Sequence, residues 1–115
     1  MLAHGALLRK NFFNVEQIQA IVKDYRNAGL SAEEVALMAF AQKVINHPGR
    51  VEQADIDELH GYGLSDEEIL YVVTAVTARS FFSKTLDALD IQPDEIYREL
   101  EPELLQVLSI GRPFP

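Results

Sequence analysis

The sequence has no cysteine and no tryptophan. The missing cysteine excludes disulfides, thiolate metal sites, iron–sulfur clusters and any thiol nucleophile supplied by this chain. Glycine and proline are few, 6 and 5 in 115 residues, and most fall between periodic segments. Basic residues are outnumbered, 10 against 18 acids, for a net charge of −8, and the cations are scattered along the chain. Such a surface repels duplex nucleic acid, so no nucleic-acid partner is expected. No apolar run approaches the ~18 residues of a membrane span. The N-terminus lacks the cationic, apolar and small-residue order of a signal peptide. No membrane association is expected, and a cytoplasmic protein is the default.

No stretch alternates apolar and polar residues with turn dipeptides at strand spacing, which argues against a sheet. Apolar residues at 48% and charged residues at 24% argue against disorder. What remains is an all-α fold, a compact helical domain of five to six helices. The length predicts one domain over residues 1–115 and is too short for two independent cores.

Two helix starts are the clearest local signals. Gly29-Leu30-Ser31-Ala32-Glu33-Glu34-Val35 is echoed by Gly63-Leu64-Ser65-Asp66-Glu67-Glu68-Ile69. Each is a capping box, in which the serine accepts from the amide three residues on and the glutamate reaches back to the serine amide. Leu30 with Val35, and Leu64 with Ile69, have the spacing of a hydrophobic staple. Each glycine is expected to close the preceding helix in a left-handed conformation. The pattern predicts helices over residues 2–10, 15–28, 32–46, 53–60 and 66–89. Pro93 opens a sixth, which Pro102 either kinks or follows with a seventh. The tail over residues 111–115 is expected to be irregular.

The helix over 66–89 is expected to be the core. Residues 69–78 carry no charge, and Val72, Val73, Val76, Phe81 and Phe82 surround it on most sides. A helix that is apolar nearly all round is a buried one. The second helix is amphipathic, with Val15, Ile18, Ile21, Val22 and Tyr25 on one stripe. In the third, Leu37, Met38, Ala41, Val44 and Ile45 share a face. The first helix starts without a capping residue and reads like one entered in the middle.

Candidate chemistry is sparse. His4, His47 and His60 are not at helical spacing from one another, so no helical histidine pair for a metal exists. Asp57 and His60 are one turn apart among Glu52, Asp55 and Glu58 and are placed to flank a cation; the competing reading is a solvated acidic face. His47, before Pro48, suits a helix C-terminus. Thr74 and Thr77 can bond carbonyls one turn back. Arg79 follows a long uncharged stretch and must reach water, a buried anion or a carboxylate of a second subunit. No metal site, no cofactor site, no Ser–His–Asp order and no phosphate loop is visible.

Several blocks together carry a resemblance. Ala3-His4-Gly5-Ala6-Leu7-Leu8-Arg9-Lys10, Asp24-Tyr25-Arg26, Leu30-Ser31 and Ala36-Leu37-Met38-Ala39-Phe40-Ala41-Gln42-Lys43 resemble the alkyl hydroperoxidase D-like, or carboxymuconolactone decarboxylase-like, superfamily. They look closest to its peroxidase-related branch. The stretch 51–69 and the segment from Phe81-Phe82 to Leu86-Asp87-Ala88-Leu89 fit the same order, so the likeness spans about residues 3–98.

That family reduces hydroperoxides with a Cys-x-x-Cys-x-x-x-His-Gly motif at a helix start, where a low thiol pKa favours the attacking thiolate. By this resemblance His4 takes the proton-relay position as the one catalytic residue. Residues 1–10 are the end of the motif helix, and the second cysteine falls immediately before Met1. Both cysteines and the family's upstream glutamate are absent. Three accounts follow: a truncated enzyme, a split one whose partner chain or missing N-terminal segment supplies the cysteines, or a cysteine-free family member. The function implied is thiol-dependent peroxide reduction by the family, with this chain inactive alone. The alternative is a non-enzymatic helical oligomerisation or interaction module. Lactone decarboxylation is a distant third. A homo-oligomer is expected in either case, since the apolar helices leave surplus surface to cover.

Overall fold

Four helices in the computed structural model of the chain begin where a side chain satisfies free backbone amides. The structure describes residues 1–111 and Phe114; the rest of the expected irregular tail, Arg112, Pro113 and Pro115, lies outside the described residues. Six α-helices run in the order α1 (Leu2–Asn11), α2 (Val15–Asp24), α3 (Ala32–Asn46), α4 (Gln53–Gly61), α5 (Asp66–Ala88) and α6 (Pro102–Leu108). Short 3-10 turns occupy Tyr25–Asn27, Pro48–Arg50 and Glu95–Glu99. Among the described residues there is no strand.

Both expected capping boxes are formed. The Glu34 amide donates to Ser31 Oγ at 3.1 Å while the Ser31 amide donates to Glu34 Oε2 at 2.8 Å. Ser65 and Glu68 repeat the pair at 3.1 and 2.7 Å. Two further boxes, Asn14 with Gln17 and Glu52 with Asp55, were not expected from the sequence. Gly29 and Gly63 both take the left-handed backbone before the next cap, with φ of 75° and 93°. The second helix is shorter than expected. Asp24 leaves helical geometry, accepts from the Arg26 amide at 3.1 Å and from Asn27 Nδ2 at 2.6 Å, and converts the final turn to 3-10. A short carboxylate competing for nearby amides is the physical reason. Pro93 likewise leads into a 3-10 turn, and Pro102 occupies the first turn of a separate helix, α6.

The chain divides into two compact units. One is formed by residues 1–30 and 91–115, the other by residues 31–90. The one core expected from the length is distributed over two buried clusters, one in each unit. Two or three packed helices suffice to close a small apolar centre.

In the discontinuous unit, Leu2 of α1, Ile18 of α2 and Leu104 and Leu108 of α6 are buried together. Val15 and Val22 join them from the expected stripe of α2. Gly5 is also buried, and a Cβ there would collide with the δ carbons of Leu108. The glycine therefore lets α1 approach α6. Arg9 Nε closes the same pair of helices on Glu101 Oε1 at 2.9 Å.

In the central unit the buried residues are Ala36, Phe40 and Val44 of α3, Leu59 of α4 and Ile69 of α5. This corrects two expectations. The buried stripe of α3 is Ala36–Phe40–Val44, while Met38 and Ile45 are exposed. Two apolar stripes compete on this helix, and packing on α4 and α5 selects the one with the phenylalanine. Helix α5, expected to be the most buried element, buries only Ile69 fully. Val72, Val73 and Val76 pack against the cluster, and the opposite side of the helix is uncovered. The rule that an all-round apolar helix is buried requires neighbours on every side. Here α3 and α4 supply neighbours on one side.

Candidate functional site

The residues singled out for chemistry do not converge. His4 lies in the first turn of α1 and is exposed. Its neighbour Gly5 has a packing role in the same helix, which explains the His-Gly pair at the glycine without reference to redox chemistry. His60 Nε2 meets Asp66 Oδ1 at 2.7 Å across the turn between α4 and α5. Asp57 accepts instead from Gln53 Nε2 at 2.9 Å, and both Asp57 and His60 are exposed, in line with the solvated acidic face rather than a cation flank. No group of three or more potential metal ligands gathers among the described residues. His47 is the C-cap of α3, where its amide donates to the Lys43 carbonyl at 2.8 Å. Arg79 is exposed, with its guanidinium 5.3 Å from the centre of the Phe82 ring.

A small cleft lies between α3 and α4. Phe40 and Leu59 line it together with Lys43, Asp55 and Glu58, and its volume is about 110 Å³. Ligand pockets run to roughly 300–1,000 Å³, so this one holds a few waters at most. Its cation is already engaged: Lys43 Nζ donates to both oxygens of Asp55, at 2.8 and 2.6 Å. The Glu52 amide adds a third bond to Asp55 Oδ2 at 2.7 Å.

The Glu52 amide first, and then the Lys43 ammonium, hold the Asp55 carboxyl below its ordinary range. A depressed pKa in the folded state contributes stability above the unfolded value, and that stability is lost as pH falls through the folded one. The central unit should therefore weaken below about pH 4. Asp55→Asn keeps an acceptor for the Glu52 amide but loses the charge. Thermal melting against pH should show a shallower acid limb for this variant than for the wild type.

The outer side of α5 is exposed and largely apolar. Leu70 and Tyr71 are each 60% exposed, Phe81 73% and Phe82 49%. Thr74, Ala75, Thr77 and Ala78 lie between them and are exposed as well. On a 3.6-residue helix these eight residues share one broad face. It is uncharged from Leu70 through Ala78, and Arg79 borders it beyond.

The polar atoms of this face are satisfied within the helix. Thr74 Oγ1 donates to the Leu70 carbonyl and Thr77 Oγ1 to the Val73 carbonyl, both at 2.9 Å, as the sequence led us to expect. The Tyr71 hydroxyl donates to Glu67 Oε1. Burying a hydroxyl without a partner is costly, and here that cost is already removed. The sequence reading missed this surface because it took the same apolar residues for core.

Uncovered apolar surface extends beyond α5. Among the described residues, fifteen large hydrophobic residues are exposed against nine buried hydrophobic ones. Scattered exposed leucines are ordinary on a monomer, whereas the exposed apolar residues on the outer side of α5 are contiguous.

The chain matches neither a known protein family nor a curated protein. Among the described residues, no helix is long and apolar enough to cross a membrane.

Proposed function

We propose that the chain is a helical self-assembly module, a homo-oligomer whose contact surface includes the outer face of α5. One observation carries this reading: the uncharged run of Leu70, Tyr71, Thr74, Ala75, Thr77 and Ala78, continued by Phe81 and Phe82, lies exposed in a chain of net charge −8. Charge keeps most surfaces of an acidic protein apart, and an uncharged face is where two copies can meet without repulsion. Light scattering at micromolar concentration should give a mass that is a multiple of the single chain. A single-chain mass at about 100 μM rules the reading out.

A second proposal places the same helices on the alkyl hydroperoxidase D-like scaffold, with His4 at the proton-relay position and the cysteines supplied from outside this chain. It rests on the order of the sequence blocks. Either way, the chain alone should show no thiol–disulfide peroxidase activity. Peroxide reduction of that kind needs a thiolate to attack the O–O bond and a second thiol to resolve the product. Met1 and Met38 are the only sulfur-containing residues, and a thioether is not regenerated by a dithiol. Metal-stripped protein given an alkyl hydroperoxide and a dithiol should consume peroxide at the protein-free rate. Multiple turnovers above that rate would contradict this argument.

A further inference from the structure

We infer that two copies pair antiparallel along α5, about a two-fold axis that passes between Thr74 and Thr77. The inference rests on the self-assembly reading and names the partner as a second copy of this chain. Along the outer face, Glu67, Leu70, Thr74, Thr77, Phe81 and Lys84 follow one another at steps of three, four, three, four and three. That alternation is the seam by which two helices pack side by side.

The seam is complementary to itself only when reversed. Antiparallel pairing about its midpoint sets Leu70 against Phe81 of the second copy and Thr74 against Thr77. It sets Glu67 against Lys84 at both ends, because a two-fold contact is reciprocal. Parallel pairing sets Glu67 against Glu67 and Lys84 against Lys84, which is repulsive. The small threonines at the centre allow close approach, with their hydroxyls already bonded to backbone carbonyls. Leu70, Tyr71, Phe81 and Phe82, at the exposures given above, offer on the order of 500 Å² on each copy. Doubled across the pair, this reaches roughly the 1,000 Å² at which specific interfaces begin.

The absence of native cysteine makes the register directly testable. Glu67→Cys and Lys84→Cys chains are oxidised separately and as a mixture, with the mass of each measured beforehand. The mixture should cross-link at least about ten-fold more than either variant alone, since equivalent positions on antiparallel copies lie roughly 25 Å apart along the helix at 1.5 Å per residue. As a second measurement, Glu67→Lys and Lys84→Glu should each raise the dimer dissociation constant, roughly ten-fold, and the double variant should restore it. Efficient cross-linking of each variant alone overturns the antiparallel pairing. A stable oligomer with no cross-link in any arm and no effect of charge reversal also overturns it, while leaving self-assembly standing. Wild-type protein that is a single chain at every concentration defeats both.

Discussion

Leu70→Glu combined with Phe81→Glu should yield a folded single chain. Both side chains are mostly exposed, and neither belongs to the buried cluster of the central unit. Replacing them therefore leaves the packing of α5 on α3 and α4 unchanged. In an assembly built on this face the same substitutions place four new carboxylates in an apolar contact, where an unpaired charge costs several kcal/mol. The dissociation constant should rise by at least about a hundred-fold, which corresponds to ~2.7 kcal/mol. Sedimentation should report the single chain while circular dichroism and the melting cooperativity stay close to the wild type. Loss of helix in the double variant would show that the face is part of the core. An unchanged oligomer would place assembly elsewhere on the chain.

On the inner side of the same helix the expected outcome is opposite. Val73 packs against the cluster formed by Ala36, Phe40, Val44, Leu59 and Ile69. An aspartate there must either desolvate its carboxylate or expose the centre of the unit. The penalty of several kcal/mol is comparable with a whole domain stability of ~5–15 kcal/mol. Val73→Asp should fail to accumulate as soluble protein or should melt without a cooperative transition. Melting like the wild type would mean that the contact of α5 with α3 does not hold the central unit together. The two substitution sets lie on one helix, so their contrast separates assembly from folding.

Neither prediction depends on a catalytic group. The histidines are distributed over separate helices and turns, and the cation lining the small cleft, Lys43, is engaged by Asp55. The acid sensitivity expected there concerns stability. Glu101 in the other unit contributes in the same direction, its carboxyl lowered first by its own backbone amide and then by Arg9. Acid should therefore loosen both units, each through a carboxylate at the start of a helix.

Among features whose cause lies within four residues, several were legible in the sequence, while the boxes at Asn14 and Glu52 were not. The boxes at Ser31 and Ser65, the left-handed glycines before them and the threonine bonds inside α5 all form as the sequence implied. Each is a local exchange of hydrogen bonds that needs no distant partner. The end of the second helix was misjudged because Asp24 has two local options, and the sequence does not rank them. Tertiary structure alone decided which apolar face is covered. Hydrophobic burial is non-directional, so Met38 and Phe40 on α3, or Val73 and Phe81 on α5, are equally apolar until a neighbouring helix removes one of them from water. The same holds for Gly5, whose small size matters only because Leu108, about a hundred residues away in the chain, packs against it. Pairings made at such separation chose the two buried clusters, and they left the outer face of α5 uncovered.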